Sequence, residues 1–400
     1  MAESAVLTGL DVLAAEACER LRGQRVAVLC HQASVDGRCR HILDILSAAP
    51  DVLLGRVFAP EHGLDGLLQD QVTMARAGAA GRREAVPVVN LYGDDFASLW
   101  PSLDDLDDID VLVADLQDVG ARYYTFYTTL AFCMERAALA GVRVVVLDRP
   151  NPIGGVEVEG PLPKPEMRSF VGYYALPARH GLTLGELALF INDEYKLGAD
   201  LEIVPMRGWR RDMRFIDTGL PWVMPSPNMP TPETALVYPG GCLLEGTNLS
   251  EGRGTTRPFE LFGAPFVDGR ELARRLDAEG LPGALFRPVA FQPTFHKWAG
   301  RRCSGVQAHV TDARLFRPWL TYVLALRHVF EMHKELAWRT EPYEFVTNRL
   351  AIDLLLGDPA LRQAIESGAD RAAFAEWGQP ELADYDARRQ AYLLYPFPES

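Results

Sequence analysis

A glutamate and a histidine stand side by side at positions 61 and 62, in the stretch VFAPEHGLDG that spans 57–66. They follow an apolar run, 52–58, which stops at Pro60. A carboxyl group placed where a buried strand hands over to a loop is held by the strand and reached through the loop, which suits general acid–base chemistry. In an apolar cleft such a carboxyl keeps its proton to higher pH and acts as an acid. Neighbouring side chains of an extended chain diverge, so at most one of Glu61 and His62 is expected to face a given substrate. A solvated glutamate beside a packed histidine is the alternative that these residues alone leave open.

Further groups with chemical potential lie at comparable places. The run 111–116 ends in QDVGARYYTFYTT, where a helix starting near Tyr124 would aim free N–H groups at Gln117, Asp118 and Arg122. Arg122 has the fork geometry to clamp a carboxylate, or it pairs with Asp118. In DRPNPIGG, Asp148 and Asn151 are either ligands for sugar hydroxyls or parts of a rigid turn. The proline-rich run 221–239 contains Trp222, Asn228 and Tyr238, and reads as an extended linker or as an ordered wall of a site. The segment EGTNLSEGRGTT offers Glu245, Asn248, Glu251 and Arg253 on a glycine-rich loop. TLGE at 183–186 matches a capping box, so Glu186 is expected to be structural. His296, His309, His328 and His333 lack metal-site spacing, and no metal site is expected.

The elements that must position these groups alternate. Strands are predicted at 25–30, 52–58, 87–91, 111–116, 142–148 and 201–204, and helices at 10–21, 40–48, 124–140 and 183–195. Continuous apolar strands between helices predict an α/β fold, a Rossmann-like doubly wound, mainly parallel sheet. Such sheets bind ligands beyond the carboxyl ends of their strands, where the polar loops above fall. Neither GxGxxG after the first strand nor GxxxxGK[ST] is present, so no nucleotide cofactor is expected. The later chain reads as an α+β auxiliary domain, with strands at 285–291 and 305–310 and helices at 319–333, 344–356 and 361–366. The expected division is 1–230 and 231–400, with the cleft between the two domains.

The 400 residues carry a net charge of −14, which disfavours nucleic acid and anionic membrane surfaces as partners. The six cysteines make no CxxC and read as reduced, structural thiols. No run approaches a membrane span and no signal peptide is evident, so the expected location is cytoplasmic, or exported if a signal has been removed. Carboxylates around a cleft, sugar-compatible Asn, Gln, Tyr and Trp, and no cofactor fingerprint point to a glycoside hydrolase. An amidase or esterase would need an activated nucleophile; GxSxG is absent, and Ser226 and Ser250 have no evident partner histidine. A non-catalytic sugar-binding protein would share the cleft.

FAPEHGLDG, VNLYGDD, DLQDVGARYYTFYTT, LDRPNPIGG, PARHGLTLGELA, WVMPSPNMPT and EGTNLSEGRGTTRPFE, in this order, resemble the exo-β-N-acetylmuramidases of the NamZ type. The resemblance runs from about residue 9 to 265 and continues more weakly beyond. It implies a Rossmann-like catalytic domain with an auxiliary domain, and release of N-acetylmuramic acid from the non-reducing end of peptidoglycan fragments during cell wall recycling. It places the general acid on Glu61. His62, Asp118 and Tyr124 follow as further candidates at the reacting centre. Gln117, Arg122, Asp148, Asn151, Asn228, Glu245, Asn248, Glu251 and Arg253 follow as substrate-binding candidates, with Arg122 or Arg253 expected to meet the lactyl carboxylate of muramic acid.

Overall fold

A computed structural model of the chain describes residues 6–75 and 86–397. Six strands, β1 (Arg25–Cys30), β2 (Leu53–Ala59), β3 (Val88–Asn90), β4 (Val111–Asp115), β5 (Arg143–Leu147) and β6 (Leu201–Val204), form one parallel sheet in the order β3-β2-β1-β4-β5-β6. This is a Rossmann-like, doubly wound order. The strands read as unbroken apolar runs because both sheet faces are covered. Their two-residue period divides them: Ala27, Leu29, Leu112, Ala114, Val144 and Val146 enter one core, Val26, Val28, Val111, Val113, Val145 and Leu147 the other. Helices Phe126–Ala140 and Leu184–Glu194 cover the first face, Gly9–Ala15 and Ile42–Ala48 the second.

The later chain builds an antiparallel sheet, β7 (Leu261–Ala264), β8 (Ala284–Phe291) and β9 (Cys303–Val310), in the order β7-β9-β8. Helices Pro232–Gly241, Gly269–Ala278 and Pro318–Met332 pack with it. Its apolar side joins the first face of the parallel sheet: Phe262, Tyr322 and Leu354 belong to the same continuous core as Leu112 and Leu130. The end of the chain then returns to the parallel sheet. Tyr395 Oη donates to Asp148 Oδ2 at 2.5 Å, and Tyr385 Oη to the His180 carbonyl at 2.7 Å.

Three sequence expectations change. The helix expected over 10–21 stops at Ala15, because Ala17 and Cys18 take positive φ (+51°, +56°). The run 221–239 is ordered, and Pro232 opens a helix at the position where a missing N–H costs nothing. The helix expected over 344–356 begins only at Ala351. Tyr343 and Val346 exchange backbone hydrogen bonds around a tight turn in which Glu344 and Phe345 sit at φ +46° and +65°. Among the described residues no helix is long and apolar enough to cross a membrane.

Candidate active site

After β2 the chain does not continue extended. It turns through 61–66 with His62 at φ +73° and Gly63 at +80°. This turn brings both Glu61 and His62 to the border of one pocket, contrary to the expectation drawn from an extended chain. His62 Nδ1 lies 2.8 Å from the Leu68 carbonyl, which fixes the loop. Glu61 is only 7% exposed. Its Oε2 accepts from Thr125 Oγ1 at 3.1 Å and its Oε1 from the Gln71 N–H at 3.2 Å. Thr125 occupies the N-cap position of helix Phe126–Ala140, yet its hydroxyl caps nothing within that helix. It holds the glutamate instead, at the positive end of the helix dipole.

The pocket above Glu61 is narrow, with about 40 Å³ of cavity volume. Tyr123, Tyr124 and Thr125 come from the loop after β4, and Asn228 from the proline-rich wall. Tyr238, Glu245, Arg253, Tyr343 and Glu344 come from the later chain. The Tyr123 and Tyr124 hydroxyls are buried without a hydrogen-bond partner among the described residues; Ser226 is near the Tyr124 hydroxyl but outside hydrogen-bond geometry. Buried donors in that condition mark a place where a ligand completes the network.

Four carboxylates line the pocket, Glu61, Asp70, Glu245 and Glu344, among a larger number of aromatic rings. Arg253 is enclosed by two of these and by Glu251 behind them: Nη1 lies 3.2 Å from Asp70, Nη2 2.7 Å from Glu245 and Nε 3.3 Å from Glu251. Burial alone would lower its proton affinity, but these charges hold the guanidinium firmly protonated. Tyr343 Oη donates to the other oxygen of Glu245 at 2.8 Å. Glu344 shares the pocket with Glu61 and receives Tyr92 Oη at 2.9 Å. Burial, and then the negative charge of Glu61, push the Glu344 carboxyl well above the usual carboxylate range.

Of the sequence candidates, Glu61, His62, Tyr124, Asn228, Glu245 and Arg253 meet at this pocket. The others do not line it. Arg122 is fully buried, and its guanidinium is spent on the carbonyls of Val171 and Leu355, so it faces away from the pocket. Asp118 is held behind the pocket wall by the Gly120 N–H at 2.6 Å and His180 Nε2 at 3.2 Å. Gln117 donates to the carbonyls of Asp118 and Pro150. Asp148 accepts from Thr183, Gly185 and Tyr395, and Asn151 bridges the Leu182 carbonyl and the Ile153 N–H; both are internal braces. Asn248 bonds the backbone of Glu335 and Ala337. Glu251 is buried under His296, Lys297 and Arg253; burial favours its neutral form, but these cations hold its carboxyl well below the usual range.

Sequence reasoning missed Asp70, Thr125, Tyr343 and Glu344 as pocket residues. Thr125 lay inside the motif DVGARYYTFYTT and was legible as a candidate N-cap. Glu344 was hidden inside an apparent helix. No group of three or more His, Cys, Asp or Glu among the described residues is arranged to hold a metal ion. At the sheet's switch point between β1 and β4 only a small cavity of about 10 Å³ remains, bordered by Ala33, Val35, Gln117 and Arg149. Buried His31 accepts the Gln117 N–H at Nε2 (3.0 Å) and lies 3.3 Å from the Pro225 carbonyl at Nδ1, and burial pushes it down to about 3. The pocket is therefore displaced toward β2 and the start of helix Phe126–Ala140.

Comparison with known proteins agrees along the whole chain. The sequence profile described as "Exo-beta-N-acetylmuramidase NamZ, N-terminal" matches residues 26–233, and its "C-terminal" counterpart matches 236–395. The chain is 41% identical over 392 residues to a Bacillus subtilis (strain 168) protein named peptidoglycan beta-N-acetylmuramidase NamZ, covering 98% of this chain and 91% of that one. Two crystal structures of DUF1343 family proteins from Bacteroides fragilis are also similar. One superposes with a TM-score of 0.87 at 32% identity, covering 98% of this chain and 99% of that one. The other has a TM-score of 0.76 at 27% identity, covering 99% and 100%.

Proposed function

The chain belongs to the exo-β-N-acetylmuramidase NamZ family, and from that premise we propose that it releases N-acetylmuramic acid from the non-reducing end of peptidoglycan fragments. It is a glycosidase. The observation that carries the finer reading is Glu61, a buried carboxyl gripped by Thr125 and Gln71 at the floor of an enclosed pocket.

On this reading Glu61 donates a proton to the glycosidic oxygen as the bond to the anomeric carbon breaks. Glu344, held above the usual carboxylate range by burial and by the charge of Glu61, keeps a proton in the pocket. The substrate's own 2-acetamido oxygen attacks the anomeric carbon and forms a cyclic intermediate. Water then opens that ring, losing its proton to Glu61, and the sugar leaves with retained configuration. Tyr124, whose hydroxyl lacks a protein partner, or Asp118, whose Oδ1 is likewise buried without one, orients the acetamido group. The division near residue 230 separates the part bearing Glu61 from an auxiliary part that supplies Glu245, Arg253 and Glu344.

Incubating the protein with MurNAc-β-1,4-GlcNAc tests this. Free N-acetylmuramic acid is expected, in the β-anomer at early times by NMR. Initial release of the α-anomer would contradict acetamido participation and favour a carboxylate-activated water; no release at all would remove the activity.

A further inference from the structure

Beside the pocket lies an open groove of about 1060 Å³, built from 247–248, 296–298 and 337–341. Trp298 and Trp338 line it, and Lys297 and Arg339 supply cationic donors. The groove adjoins the pocket through Gln71. Arg339 Nη2 lies 3.2 Å from Gln71 Oε1, and the Gln71 N–H holds Glu61. On the other side Glu251 forms a shared partition, with Lys297 and His296 at 3.0 Å toward the groove and Arg253 at 3.3 Å toward the pocket.

Two further observations mark the groove as built for a ligand. Bulky residues rarely adopt positive φ, yet His296 and Trp298 do so on one bordering loop, at +66° and +60°. Strain of this kind collects at binding sites. Charge is the second. Arg253 is surrounded by carboxylates and Arg122 is buried among carbonyls, whereas Arg339 faces no carboxylate among the described residues. In a chain of net charge −14, a cation left without a carboxylate at a pocket mouth suits an anionic ligand.

We propose that this groove holds the leaving saccharide. The ligand class is a β-linked chain of N-acetylated amino sugars bearing a carboxylate, its sugar faces against Trp298 and Trp338 and its carboxylate at Arg339. The inference rests on the glycosidase reading above.

The test compares kcat/KM on a MurNAc-terminated tetrasaccharide with kcat/KM on an aryl β-MurNAc, which has no saccharide to place in the groove. Trp338→Ala is expected to lower the ratio of the two about ten-fold or more, and Trp338→Phe to restore most of it. An unchanged ratio in Trp338→Ala overturns the proposal. If Trp338→Ala loses both activities, the wild type decides. The disaccharide GlcNAc-β-1,4-MurNAc, the first two sugars of the leaving saccharide, is titrated while intrinsic tryptophan fluorescence is followed. Saturable binding that weakens in Arg339→Ala supports the groove, and absence of binding to wild type at millimolar disaccharide overturns it. Failure of the wild type to cleave either substrate would instead sink the activity reading, and the titration would still judge the groove.

Discussion

Glu344 carries a pH signature that a structural carboxylate on the surface would lack. Burial first, and the charge of Glu61 second, hold its carboxyl above the usual range. The unfolded chain therefore gives up this proton at lower pH than the folded one. Stability from the neutral group is complete below the unfolded value of about 4.3 and is lost as the pH rises through the folded value. Glu344→Gln removes that loss. Its Tm relative to wild type is expected to increase steadily as the pH is raised above about 5. A difference that does not change with pH would show that the Glu344 charge is not penalised by its surroundings. The same variant is expected to shift the pH profile of kcat, because Glu61 no longer shares its pocket with a second titrating carboxyl. Arg122 gives the opposite lesson. Its type suggested a carboxylate clamp, but a fully buried guanidinium that donates to the Val171 and Leu355 carbonyls is a brace.

Among the elements, the join of β5 to helix Leu184–Glu194 turns on Asp148. Its carboxylate accepts from Thr183 Oγ1, the Gly185 N–H and Tyr395 Oη, and so ties a strand end, a helix start and the chain's last segment. Asp148→Ala leaves these donors buried and unpaired. A loss of about 2–4 kcal/mol in unfolding free energy is expected in urea melts, with kcat/KM of the surviving folded enzyme within a few-fold of wild type. A stable Asp148→Ala protein with no turnover would return Asp148 to the sugar site. The parallel sheet was legible in sequence because its strands are unbroken apolar runs, RVAVLC and RVVVL among them, and that pattern survives whatever packs on it. The site was legible in part. Glu61 sits next to its strand, so local pattern located it. Glu344 reaches the pocket through a turn with two residues at positive φ, which no periodicity announces. Asp148, Asn151 and Gln117 stood at strand ends as Glu61 does, and only their hydrogen-bond partners reveal that they serve the fold.

Across the whole molecule, one continuous core runs from the parallel sheet into the helices around β7 to β9, and the pocket draws on both sides of it. Arg253 pairs with Asp70 at 3.2 Å across the same junction. We therefore expect thermal unfolding as a single cooperative transition by calorimetry; two well-separated transitions would mean that the two parts hold together only loosely. The proposed function puts the chemistry at Glu61, and that claim is open to a direct measurement. Wild type and Glu61→Gln are compared on MurNAc-β-1,4-GlcNAc, whose leaving oxygen needs a proton, and on 2,4-dinitrophenyl β-MurNAc, whose leaving group does not. The account predicts a loss of about 10²–10⁴-fold on the disaccharide, with a far smaller loss on the activated glycoside. Disaccharide cleavage by Glu61→Gln at the wild-type rate would contradict it.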